Sequence, residues 1–242
     1  MPGLSVLVPC LNEAAGLARL VGQVQAALQA PTLADAGPSE VILVDDGSGD
    51  GTWEAIEGLR ESHPRIGAVR HPRNRGIPAA WATGLAVARG EWICVIDADL
   101  QYEPSEISRL WDALRRTDAD IVQGARADDD RRRDLRFLLS RGLCALLNAA
   151  FGMSLRDNKS GFFLCHRRVL ATLLGFRRRY RHWQCFVMVA AHHHGYRIHE
   201  IETPFRPRHA GRSAFGSVAL GPSLAVMLDL PTALREYPPV RR

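Results

Sequence analysis

Two aspartates one residue apart, Asp97 and Asp99, follow directly on the apolar run Trp92 to Ile96 in "WICVIDADLQYEP". Burial favours the run, whereas two carboxylates at its exit repel each other and resist desolvation. Side chains two apart in an extended segment share a side, so Asp97 and Asp99 converge on one point past the strand. Gln101 adds a carbonyl oxygen to the same point. Hard oxygen donors suit Mg²⁺ or Mn²⁺. With so few protein ligands the ion needs further oxygens from a substrate, typically nucleotide phosphates. The same spacing also occurs in ordinary solvated turns, so the rest of the chain has to decide.

The elements that must position this pair alternate. "LSVLVP" (4–9), "EVILVDDGSGDGT" (40–52), "IGAVRHPRN" (66–74), "WICVID" (92–97) and "ADIVQGAR" (119–126) begin as buried strands. Helices fall between them: one capped by Asn12 with Leu17, Leu20, Val21, Val24 and Leu28 on one face, one over "WEAIEGLRESH", one ending at Gly90 and one from about Ser105. The class is α/β: a mostly parallel, Rossmann-like sheet with helices on both faces. Ligands of such sheets lie outside the carboxyl ends of the strands. Those ends carry Pro9 to Glu13, Asp45 and Asp46, Asp97 to Gln101, and Gly124 to Arg126. No Gly-x-Gly-x-x-Gly follows the first strand and no P-loop is present, so a nucleotide has to be held by acidic strand ends and an ion.

The 242 residues carry a formal charge of +5, with a pI near 9.3, and Lys159 is the only lysine. Arginine suits bidentate phosphate contacts. No aromatic-interleaved basic stripe marks a nucleic-acid reader. Five scattered cysteines without a CxxC pair indicate reduced, buried thiols. No signal peptide or ~20-residue apolar span is seen, and a cytoplasmic protein is expected. His192 to His194 are consecutive and face different ways, which argues for a helix end rather than a metal site. "DDDRRRDLRFLLSR" (128–141) reads as a solvated charge run or as a basic amphipathic segment. In the second case Arg131 to Arg133, Arg136 and Arg141 flank Phe137, Leu138, Leu139 and Leu143, a pattern that docks on the anionic inner face of a membrane.

"VPCLNE", "VDDGSGDGT", "NRGIPAAWATGLAVARGEW", "DADLQYEP", "GAR", "DNKSGFF" and "FRPRHAGRS" occur in the order found in family 2 glycosyltransferases. The set, over roughly residues 4 to 217, resembles the dolichol-phosphate mannose synthase and polyprenyl-phosphate glycosyltransferase branch. The resemblance implies a single GT-A domain over 1–217. Residues 1–126 would be its nucleotide-sugar half and 127–217 its acceptor half with a basic lid loop, followed by an apolar, proline-interrupted tail over 218–242. It implies a nucleotide-diphosphate sugar donor, Mg²⁺ or Mn²⁺, and inversion at the anomeric carbon. Pro9, Leu11 and Glu13 would line the base and ribose pocket, with Val44 and Asp46 on the base. Asp97 and Ala98 would approach ribose and sugar, and Asp99 and Gln101 the metal. Arg126 would meet a phosphate of donor or acceptor, Arg141 the acceptor phosphate, and Arg208 the diphosphate from the lid. Related lids read G-x-S-K, whereas this chain has Gly211, Arg212, Ser213 and Ala214. Arg212 would then stand in for the lysine.

A hydroxyl nucleophile normally needs a carboxylate base. A lipid phosphate, with a second pKa of about 6, is already anionic. "RYRHWQCFVMVAAHHHG" has no acid where relatives carry one, and Gln184 or Phe186 takes that place. A polyprenyl phosphate acceptor is therefore expected, with Asp157 left as either a base for a hydroxyl acceptor or a turn residue. The rival readings are a sugar-1-phosphate nucleotidyltransferase, which lacks its glycine-rich loop here, and an inactive nucleotide-sugar-binding module.

Overall fold

The structure, a computed structural model, describes residues 3–127, 135–178, 180–206 and 220–239. The first half alternates as β1 (Leu4–Cys10), α1 (Ala14–Leu28), β2 (Ser39–Asp45), α2 (Thr52–Ser62), β3 (Ile66–Arg70), α3 (Ile77–Val87), β4 (Trp92–Val95), α4 (Ile107–Arg116) and β5 (Ile121–Arg126). There follow α5 (Leu135–Phe151), β6 (Phe163–His166), α6 (Arg167–Leu173), α7 (Val187–His193), β7 (Ile198–Thr203) and α8 (Leu220–Glu236). The strands form one sheet in the order β3-β2-β1-β4-β6-β5-β7. All neighbours are parallel except β6, which runs antiparallel to β4 and β5.

The period of two along each strand divides the core into two layers. Leu4, Val6, Val8 and Cys10 of β1, with Val41 and Leu43 of β2, pack under α1, α2 and α4. Leu7, Ile42, Val44, Ile93 and Val95 point the other way, toward α3 and α5 to α8. All five cysteines are buried and unpaired. Among the described residues no helix is long and apolar enough to cross a membrane.

Three local expectations are corrected. Asn12 does not cap α1: it has left-handed backbone (φ 57°), and Glu13 is the N-cap. Leu143, expected on an exposed amphipathic face of α5, is 6% exposed and belongs to the core, whereas Leu138 is 63% exposed. The segment set apart as a tail contains α8, which continues through Pro231 and contributes Val226, Ala233 and Tyr237 to the core. Pro231, on the exposed side of the helix, leaves one backbone carbonyl without its helical donor.

Candidate functional site

The ends of β1, β2 and β4 open onto a cleft of about 440 Å³. Its walls are Pro9, Cys10, Leu11 and Glu13, then Asp46, the turn Asn74–Pro78, Asp97–Asp99 and the stretch Tyr180–Gln184. Seven expected donor residues are thus brought together: Pro9, Leu11, Glu13, Asp46, Asp97, Ala98 and Asp99. Val44 is not among them. It lies on the opposite side of β2 from Leu43, buried with Leu7 and Trp81, so it supports the cleft from the core rather than facing a base.

Two strand-end loops lock each other. Asn12 Oδ1 accepts from the Gly49 N–H (3.0 Å), and the Asn12 N–H donates to Ser48 Oγ (2.9 Å). Asp50 and Thr52 accept from the first amides of α1, Ala14 N–H and Glu13 N–H. The missing side-chain cap of α1 is therefore supplied by the loop after β2. Asp46 is occupied as well: His71 Nδ1 and the Arg75 N–H meet Oδ1, and the Gly76 N–H donates to Oδ2 (2.8 Å). Gly76 has φ 88°, a conformation glycine adopts without strain, and it starts α3. Asp46 accordingly shapes the Arg75–Gly76 wall of the cleft instead of presenting a free carboxylate to a base.

Asp97 and Asp99 both reach the cleft, but not by strand alternation. β4 ends at Val95, and Leu100, with φ 58°, turns the chain back. Among the described residues, Asn12 and Leu100 are the two non-glycine residues with left-handed backbone, and each adjoins a cleft motif. Such backbone concentrates at functional sites. The turn separates Gln101 from the pair. Gln101 does not line the cleft; its side-chain Nε2 donates to the Arg206 carbonyl (3.3 Å), and its backbone carbonyl accepts from the Arg206 N–H (2.8 Å). It anchors the chain after β7 rather than completing a ligand set. Among the described residues no three His, Cys, Asp or Glu side chains cluster as a metal site. Two carboxylates on one cleft fit a hard divalent ion only where substrate oxygens fill the remaining positions, which is how Mg²⁺ is commonly held.

Gly161 has no side chain because Asp97 occupies the space. A Cβ there would collide with Asp97 Oδ2 and come within 2.7 Å of Gln184 Nε2. Gly161→Ala is expected to lower kcat roughly 10–100-fold by displacing Asp97, with a melting temperature close to wild type. Steady-state kinetics alongside a thermal melt checks this.

Asp157, left open as a base or a turn residue, is held as a structural partner. Arg126 grips it in bidentate fashion, through Nε and, at 2.8 Å, Nη2, and the Lys159 N–H donates to the same carboxylate. Burial alone would raise its pKa, but the Arg126 charge and hydrogen bonds outweigh burial and bring it down to about 2. A carboxylate that acidic is a weak general base at neutral pH. Arg126 is likewise committed: its charge is matched by Asp157 and its guanidinium lies over the Phe205 ring at 5.2 Å. Neither lines the cleft.

Arg141 is exposed on α5 and also outside the cleft. Arg208, Arg212 and Ser213 lie outside the described residues, as do Arg131 to Arg133. Gln184, not Phe186, takes the place beside Asp97; Phe186 is 1% exposed and in the core. Trp183 forms part of the wall and packs edge-on against Trp81 at 5.1 Å. Arg75, Gly76, Tyr180, Arg181 and His182 also line the cleft. The glycine of "NRGIP" hints at the first two, but the others carry no motif.

Comparison with known proteins follows the same lines. The family described as Glycosyl transferase family 2 matches residues 5–174. The dolichol-phosphate mannosyltransferase of Pyrococcus furiosus is 30% identical over 173 residues, 69% of this chain and 47% of its own length. The undecaprenyl-phosphate 4-deoxy-4-formamido-L-arabinose transferase of Aeromonas hydrophila is 30% identical over 239 residues, 97% of this chain and 68% of its own. The chain thus spans about half to two thirds of the length of these relatives. The mannosyltransferase PcManGT of Pyrobaculum calidifontis, solved with GDP-Man and Mn²⁺, superposes with a TM-score of 0.64 at 21% identity, over 98% of this chain and 73% of that one. The glucosyl-3-phosphoglycerate synthase of Mycobacterium tuberculosis, solved with UDP, gives 0.69 at 22%, over 96% and 80%. These two likenesses establish the GT-A fold.

Proposed function

The chain belongs to glycosyl transferase family 2, and on that premise we propose that it moves a hexose from a nucleotide-diphosphate sugar to a polyprenyl phosphate, with inversion. The observation that carries this reading is the cleft, where Asp97 and Asp99 face the mutually locked loops of β1 and β2. Glu13, Leu11 and Pro9 form the nucleoside end, against the wall that Asp46 holds. Asp97 and Asp99 would hold Mg²⁺ or Mn²⁺, which when bound neutralises charge on the diphosphate. Arg208 and Arg212 remain the proposed cationic partners of the leaving group.

A phosphate acceptor is favoured because neither position considered for a base supplies one. Asp157 is tied to Arg126, and Gln184 stands where a base would face Asp97. A phosphate needs no base, since its second pKa of about 6 leaves it anionic at neutral pH. The test is turnover with polyprenyl phosphate against turnover with a soluble sugar hydroxyl, using GDP-mannose and UDP-glucose as donors. Transfer to the phosphate alone supports the reading; transfer to the hydroxyl alone overturns the acceptor assignment.

Such an acceptor resides in a membrane, so the protein is proposed to work on the inner membrane face. Leu138 and Leu146 of α5, with Leu224, Met227 and Leu228 of α8, are exposed apolar residues suited to shallow insertion. Leu224, Met227 and Leu228 together changed to Ser are expected to abolish sedimentation with anionic vesicles. Absence of wild-type binding at low salt would refute the location.

A further inference from the structure

One wall of the cleft is built from a stretch with little structure of its own. The described residues between Gly175 and His182 belong to no helix or strand, yet Tyr180, Arg181 and His182 face the site. Two carboxylates of α8 hold that stretch in place. Asp229 is 2% exposed and accepts from the Arg181 N–H, from the Arg181 guanidinium at 2.8 Å and from the His182 N–H at 3.2 Å. Glu236 accepts from the Arg177 N–H and, at 2.7 Å, from the Tyr180 hydroxyl. The two acids are seven residues apart, close to two helical turns, so they project from one face. That face also carries Val226, Ala233 and Tyr237, which anchor α8 in the core.

A buried carboxylate is costly to desolvate unless donors surround it. Here the donors are the backbone amides of the wall, so wall and helix are fixed together. The wall meets the catalytic rim at Gln184, whose amide crowds Gly161 together with the Asp97 carboxylate. We infer that Asp229 is a positioning residue: through it α8 sets the wall from Tyr180 to Gln184, the side of the cleft left to the acceptor once the nucleoside is assigned to Pro9, Leu11 and Glu13. The inference rests on the cleft being the transfer site, and it gives α8 a role beyond covering the sheet. The helix with exposed Leu224, Met227 and Leu228 on one side thereby shapes the cleft with the other.

Three measurements on Asp229→Ala test it. Hydrogen exchange of the peptide covering Arg177 to His182 is expected to quicken at least tenfold, while β1 and β2 keep their protection. The acceptor kcat/KM is expected to fall at least tenfold, and the calorimetric Kd for nucleotide sugar with Mn²⁺ to stay within threefold. Unchanged exchange overturns the proposal, because α8 then does not hold the wall. Faster exchange with unchanged acceptor kinetics also overturns it, because the wall is then not used. An equal loss of donor and acceptor binding reduces Asp229 to a general stabiliser. Should Asp229→Ala fail to fold, Glu236→Gln, at a half-buried position, reads the same peptide. Failure of the wild type to bind any nucleotide sugar is a separate result: it refutes the proposed function, while the exchange data still decide whether α8 fixes the wall.

Discussion

Asp99→Asn is expected to lower kcat roughly 10²–10³-fold, and Asp97→Asn by a similar factor, while the protein stays folded. Losses of that order accompany removal of one group that stabilises transition-state charge. Asparagine matches aspartate in shape, and at position 99 its carbonyl still accepts the Gln101 N–H, the bond that shapes the turn. What disappears is a negative charge that is 9% exposed at the cleft wall. If that charge served only to stabilise the turn, the variant would retain turnover. If it serves an ion and the diphosphate, kcat falls and excess Mn²⁺ restores little. Kinetics over a Mn²⁺ series, with a thermal melt of each variant, separates the two.

Asp157→Asn is expected to reduce stability by about 3–5 kcal/mol, the usual result of removing one partner from a buried ion pair. Arg126, whose side chain is 17% exposed, would be left with its counter-charge gone. The pair also carries an acid signature. The folded-state pKa of Asp157 is about 2, below its ordinary 3.8. A depressed carboxyl contributes stability that is complete above the unfolded value and is lost as pH falls from 3.8 toward 2. The difference corresponds to about 2 kcal/mol. Urea titrations at pH 7 and at pH 3 check both statements: the gap between wild type and Asp157→Asn should narrow at the lower pH. A double variant, Arg126→Met with Asp157→Asn, should recover part of the loss, because no charge is then left unpaired. A gap that stays constant with pH would contradict the assignment.

How much of this was legible in the chain differs residue by residue. The strands of the first half follow from apolar runs ended by acidic and glycine residues, and their parallel order from the helices between them. β6 was harder to read: "GFFLCH" is too short to reveal that it enters between β4 and β5 in the reverse direction. Asp97 and Asp99 lie beyond the end of β4 at Val95, so strand pleat alone does not account for their place in the cleft. Gln101, which alternation alone puts beside them, lies outside the cleft lining. Asp157 and Arg126 look reactive in a sequence because pairing across 31 positions cannot be seen there. The wall at Tyr180 to His182 was illegible for the same reason: its order comes from Asp229 and Glu236, roughly fifty residues later. Val44 shows the opposite case, a residue whose strand is right and whose side of the sheet decides its role.

Calorimetry of the wild-type protein decides whether Asp97 and Asp99 present an ion to a pyrophosphate. GDP-mannose and UDP-glucose are titrated with Mn²⁺ and again in EDTA. At least one nucleotide sugar is expected to bind with a 1:1 stoichiometry, and chelation to weaken it tenfold or more. Equal affinity with and without the metal, or no binding of either nucleotide sugar, would rule out that role for the two aspartates.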